Sequence, residues 1–158
     1  MPLVYRITKE KYLDSMLSGK GAALEGGRWN AIDVPLVYTG FSPELTLLEM
    51  LVHLEKSLLD LLPPFQMVEL LVPDTSAIHH FTESDLPLTW NSVPYTETVQ
   101  RFLEPWLAPG GPLAFSVPSA VMPWSRNLLI NPHHPEIDQV KVIRHERLQI
   151  DDRLLGLL

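Results

Sequence analysis

The chain has 158 residues, no cysteine, 46% hydrophobic and 20% charged residues, and a formal charge of −7 at pH 7. That is enough chain to bury one core without covalent staples, and it excludes disulfides, thiolate metal sites and a cysteine nucleophile. The acidic balance argues against a general nucleic-acid binder, which needs surplus Lys and Arg, but leaves room for a small phosphate-bearing ligand held by one or two arginines.

In chain order, residues 2–7 (PLVYRI) read as a strand. Thr8 then offers a cap for a helix over 9–18, with Tyr12, Leu13, Met16 and Leu17 on one face and Gly19 as its stop. Residues 19–31 have no hydrophobic period and read as a glycine-rich loop, followed by a strand at 35–39. Ser42-Pro43 is a helix start, with a side-chain cap followed by proline at the first helical position. Leu47, Leu51, Leu54, Leu58 and Leu62 predict one amphipathic helix running to Pro63-Pro64. Strands are expected at 65–72, 77–81, 113–118, 127–131 and 139–146, with a helix at 96–107 limited by Pro105. This order gives an α+β or mixed α/β class and one domain over 1–158. The apolar stretches are broken by Glu49, His53, Glu55 and Lys56, and no basic-then-apolar leader opens the chain, so a soluble cytoplasmic protein with no membrane contact is expected.

Four places carry polar groups suited to a ligand. Gly26-Gly27-Arg28-Trp29-Asn30 combines backbone freedom, a guanidinium fork, a stacking surface and a bidentate amide; on local features alone it reads more readily as a surface turn with a solvated arginine and a tryptophan packed below. Tyr38 ends a strand, where ligand crevices commonly form, or it is a core residue with a wet tip. Glu49 points away from the leucine stripe toward His53 and Lys56, so on its own it reads as part of an exposed face. Ser119 follows Val117-Pro118 with no G-x-S-x-G elbow, which makes it a hydrogen-bonding residue rather than a nucleophile. Neighbouring histidines, His79-His80 and His133-His134, point to opposite sides of an extended chain, and H-E-x-x-H is absent, so no metal site is expected.

Taken together, VYRI, GGRWN, PLVYTG, LTLLEMLVHL, FSVPSAV and NLLINPHHP follow one another from about residue 4 to 135. In that order they resemble the RES-domain family, named for an arginine, a glutamate and a serine. The segment 82–95 departs from the family pattern. The resemblance implies a fold like that of ADP-ribosyltransferase toxins and a toxin that consumes NAD⁺ as substrate, with no prosthetic group, and arrests growth. It implies Arg28, Glu49 and Ser119 as catalytic residues, and Arg6, Arg28, Tyr38, Trp29 and Asn30 as the NAD⁺-binding set. It also implies an Xre-like helix-turn-helix antitoxin as partner, to which any DNA contact would belong, and allows a homodimer of the toxin inside that complex. A protein ADP-ribosyltransferase and a non-catalytic nucleotide- or partner-binding module are the competing expectations.

Overall fold

The structure, a computed structural model, describes residues 1–74 and 78–156. Its seven strands are β1 (Leu3–Lys9), β2 (Val37–Gly40), β3 (Phe65–Leu71), β4 (Ile78–His80), β5 (Ala114–Pro118), β6 (Arg126–Ile130) and β7 (Lys141–Arg147). They form one mixed sheet in the order β4-β5-β6-β2-β1-β3-β7, antiparallel at every pairing except β4 with β5. The helices are α1 (Lys20–Glu25), α2 (Pro43–Leu51), α3 (Glu97–Gln100) and α4 (Asp152–Leu155). The class is the mixed α/β one that the strand and helix order predicts. Ala77, assigned to a strand from sequence, lies outside the described residues.

Alternation explains where the core sits. In β3, Gln66, Val68 and Leu70 are buried while the intervening residues are half-buried, the period-two pattern of a sheet with one main core face. β5 and β6 are covered on both sides: Ala114, Leu128 and Ile130 join one apolar cluster, and Phe115, Val117 and Leu129 join the other. The outer strand β7 is exposed throughout, and its Lys141, Arg144 and Arg147 blunt an edge that could otherwise pair with another chain. The sheet narrows at its centre, where β1 meets β2 at the single pair Tyr5↔Gly40. β1 and β3, in contrast, pair from Leu3↔Leu71 to Lys9↔Phe65. Helix α2 packs across this narrow point, with Thr46 Oγ1 donating to the Tyr5 carbonyl at 3.3 Å. Gly40 allows the close approach, since a Cβ there would stand 2.6 Å from Thr46 Oγ1.

Several helices differ from expectation, each for a tertiary reason. Thr8 does not cap a helix; it pairs with Gln66 inside β1, and only a 3-10 turn, Glu10–Ser15, follows. Strand pairing outweighs the local cap preference. The glycine-rich loop contains α1, whose Lys-Gly-Ala-Ala-Leu-Glu run includes strong helix formers and ends at Gly26 with φ +70°. Helix α2 starts as expected, with Ser42 accepting from Leu45 N, but stops at Leu51. Its buried residues are Leu45, Thr46 and Leu51, so the core face includes only Leu51 of the leucine stripe, and Leu47 is half-buried. Beyond it Leu58 is 49% and Leu61 77% exposed, in a separate 3-10 turn at Lys56–Leu61. With no apolar surface left to cover, Val52 and His53 have no packing gain to offset their weak helix propensity. The helix expected at 96–107 is likewise two pieces, α3 capped by Thr96 and a 3-10 turn at Glu104–Leu107 containing Pro105.

Candidate functional site

Glu49 lies in the last turns of α2 and is half-buried rather than freely exposed. Its Oε1 accepts two hydrogen bonds, from Ser119 Oγ at 2.7 Å and from Asn127 Nδ2 at 2.7 Å. Oε2 accepts none among the described residues and is not sealed from solvent. One oxygen therefore anchors the carboxylate and the other is free to meet a ligand. Glu49 comes to this position because it lies four residues after Leu45, on the side of α2 that faces the sheet.

Ser119 stands just past the end of β5 and is completely buried. Its Oγ donates to Glu49 and accepts from the backbone N–H groups of Val121 at 3.2 Å and Met122 at 3.1 Å. A hydroxyl that accepts from two amides has its proton directed outward, here at the carboxylate. Asn127 is the second residue of β6, on the same side of the sheet as Val117 and Leu129. It was not singled out from sequence; the only signal was its place in NLLINPHHP, where an amide in an otherwise apolar strand invites the question of its partner.

Arg28 approaches from the loop after α1. Its Nη1 donates to the carbonyls of Trp90 at 2.9 Å and Ser92 at 2.8 Å, and its guanidinium lies 5.7 Å from the centre of the Tyr95 ring. Desolvation lowers its pKa, and the nearby Glu49 carboxylate works against that shift. With both Nη1 protons spent on carbonyls, the Nε–Nη2 edge is left to grip an oxyanion. The partner loop belongs to segment 82–95.

Tyr38 holds the arginine loop in place. Its hydroxyl donates to Asn30 Oδ1 at 2.6 Å and accepts from Trp29 N at 3.0 Å, and burial pushes its pKa well up. Gly27 makes this possible, because a Cβ would sit 2.7 Å from the Tyr38 hydroxyl and 2.9 Å from Asn30 Oδ1. Asn30 is 1% exposed and spends its amide on the carbonyls of Ala22, Ala31 and Val34. Trp29 is 3% exposed and packs edge-on against Phe102 in the core. Both were expected to touch ligand, as a bidentate group and a stacking surface; here both are committed to the protein interior. Arg6, on β1, reaches across the narrow point of the sheet and donates from Nη1 to the Tyr38 carbonyl at 2.8 Å. Desolvation pulls its pKa down to about 10, and its Nε is buried without a hydrogen-bond partner among the described residues.

Arg28, Tyr38, Glu49 and Ser119 thus converge on one side of the sheet, while Arg6 supports them from β1. Among the described residues, no three His, Asp or Glu side chains come close enough together to hold a metal ion. His79 instead packs its ring 4.4 Å from those of Phe81 and Trp106.

Residues 3–151 match the RES domain family. A protein named Toxin Res from Photorhabdus laumondii subsp. laumondii is 34% identical over 155 residues, covering 97% of each chain. A protein named Prs ADP-ribosylating toxin from Sphingobium sp. (strain YBL2) is 35% identical over 141 residues, 88% of this chain and 86% of that one. A chain in the crystal structure of the M. tuberculosis MbcT–MbcA toxin–antitoxin complex superposes with a TM-score of 0.71 at 19% identity, over 99% of this chain and 88% of that one, and so shares the fold. The chain belongs to the RES domain family.

Proposed function

We propose that the chain is the toxin of a toxin–antitoxin pair and that it breaks the bond between nicotinamide and ribose in NAD⁺. The observation that carries this reading is the Glu49 carboxylate, with one oxygen bound to Ser119 and Asn127 and the other unbonded. In the reaction the electron pair of the C1′–N bond leaves with the nicotinamide nitrogen, and positive charge grows on the ribose carbon. An acceptor oxygen then bonds to C1′ and gives up its proton. Glu49 Oε2 is placed to stabilise the growing charge or to bind the ribose hydroxyls and orient the acceptor. Arg28 offers its free edge to a phosphate of the dinucleotide, with Arg6 behind it. Ser119 acts as a catalytic-site positioner for Glu49, and Tyr38, Asn30 and Trp29 hold the loop that carries Arg28.

Water as acceptor makes the enzyme a glycohydrolase, and phosphate makes it a phosphorylase. A second reading, transfer of ADP-ribose to a protein side chain, is favoured by the relative named Prs ADP-ribosylating toxin. The structural neighbour was solved as a toxin–antitoxin complex, which supports an antitoxin partner here. An Xre-like helix-turn-helix antitoxin, a toxin homodimer within the complex, and action in the cytoplasm complete the proposal. No helix among the described residues is long and apolar enough to cross a membrane.

The test follows NAD⁺ over time with purified protein, with and without inorganic phosphate, against Glu49→Ala. Loss with the unmutated protein alone supports the reading, and dependence on phosphate names the acceptor. Labelled adenylate appearing on a protein identifies the transferase. Saturable NAD⁺ binding with no product under any of these conditions leaves a binding module in place of an enzyme.

A further inference from the structure

Arg126 and Asn127 are neighbours on β6, so their side chains leave opposite faces of the strand. Asn127 goes to Glu49; Arg126 goes to a cavity of about 280 Å³ on the other side, whose walls include Phe41, Leu45, His80, Ser116 and Ser125. Liquid water occupies ~30 Å³ per molecule, so the space admits a polyatomic group. Arg126 is anchored by neutral oxygens: Nε donates to Ser116 Oγ at 2.6 Å, and Nη2 to the carbonyls of Phe81 at 2.6 Å and Ser116 at 2.8 Å. No carboxylate bonds it among the described residues. Desolvation lowers its pKa, as a cation without a counter-charge requires. Nη1 makes no hydrogen bond among the described residues and is not sealed from solvent.

The cavity is also close to the glutamate. Leu45 in its wall and Glu49 are four residues apart on α2, a rise of about 6 Å along the same helix face. We propose that the Arg126 cavity, with His80 and Ser125 at its wall, is an oxyanion subsite that takes a phosphate group. The inference rests on the reading of the chain as a dinucleotide enzyme for its setting, though not for its test. A phosphate group reaches the subsite from either of two sources, the dinucleotide's own pyrophosphate or free inorganic phosphate. The neutral anchors hold Arg126 in one direction and leave its Nη1 as the donor to an oxyanion, and the Ser125 hydroxyl and His80 ring supply hydrogen-bond donors of adjustable direction.

Calorimetric titration of inorganic phosphate into the Glu49→Gln protein, which removes turnover from the measurement, tests this. Saturable binding is expected, weakened at least about tenfold by Arg126→Gln, the scale of losing a charge-assisted hydrogen bond. Because Arg126 also ties β5 to β6, a His80→Ala/Ser125→Ala double variant repeats the test without touching those anchors; it too is expected to weaken binding. Competition between phosphate and NAD⁺ assigns the subsite to the dinucleotide, and simultaneous binding assigns it to free phosphate. No saturable binding up to about 10 mM phosphate, or equal affinity in all the variants, overturns the subsite. An inert unmutated protein in the NAD⁺ assay sinks the proposed reaction and leaves this result standing.

Discussion

The arginines of the interior and those of the surface are held by different chemistry. On the surface, Arg101 bonds Glu97 at 3.0 Å and Glu104 at 2.9 Å, Arg153 bonds Asp151 at 2.8 Å, and Arg144 lies 3.4 Å from Glu69. Inside, Arg6, Arg28 and Arg126 donate to backbone carbonyls and to one serine hydroxyl, with no bonded carboxylate among the described residues. The chain has 19 acidic residues to 12 basic ones, so carboxylates are not scarce. Carbonyl anchoring fixes a guanidinium in direction without pairing it to a carboxylate, and a partly desolvated cation held that way attracts an anion more strongly than one in open water. The surface pairs, screened by water and salt, contribute little in comparison.

Substitutions in the two groups differ in their expected effect. Glu49→Gln should have the largest effect, lowering NAD⁺ consumption at least about 10²-fold while the unfolding midpoint stays near that of the unmutated protein. Steady-state rates beside a urea melt check it; unchanged turnover in a folded variant removes Glu49 from the chemistry. Arg28→Lys keeps the charge but cannot satisfy two carbonyls and still present a fork, so kcat/KM should fall roughly ten- to a hundredfold. If lysine serves as well as arginine, the carbonyl anchoring has no functional meaning. Asn127→Ala removes one of two bonds to Oε1 and should lower kcat about tenfold with little change in KM. A change confined to KM would place Asn127 on the ligand instead of on the carboxylate.

Smaller still is Gly27→Ala, whose new methyl group meets the Tyr38 hydroxyl. It should lower stability by about 1–3 kcal/mol, the usual range for an overpacked site, read from urea unfolding. The control is Arg101→Ala on the surface. Neither the unfolding midpoint nor the rate should move, and a clear loss of either would show that the surface pairs matter as much as the interior ones.

Much of the site's inventory is legible in the linear chain, though its geometry is not. Arg28, Tyr38, Glu49 and Ser119 stand out from the order of the motifs, yet Glu49 reads as an exposed residue when α2 is phased on its leucines. The phase fails because α2 ends at Leu51 and Leu58 faces solvent in another segment, a fact that depends on where the sheet ends. Trp29 and Asn30 look like ligand groups because tryptophan and asparagine often are; only packing reveals that their polar atoms and ring are already occupied. Asn127 and Arg126 escape notice because nothing local in SRNLLIN distinguishes a strand-end amide or guanidinium with a partner from one in water.

What the sequence determines by itself is local. Short apolar and β-branched runs between turn residues place the strands, Ser42-Pro43 starts α2, and the absence of cysteine rules out thiol chemistry, because strand propensity, cap geometry and composition act within a few residues. The tertiary structure decides where helices stop and which polar groups meet. Glu49 bonds Ser119 and Asn127 across 70 and 78 residues of chain. Contacts of that range are set by which strands pair and which apolar surface remains to be covered, and no local propensity encodes them.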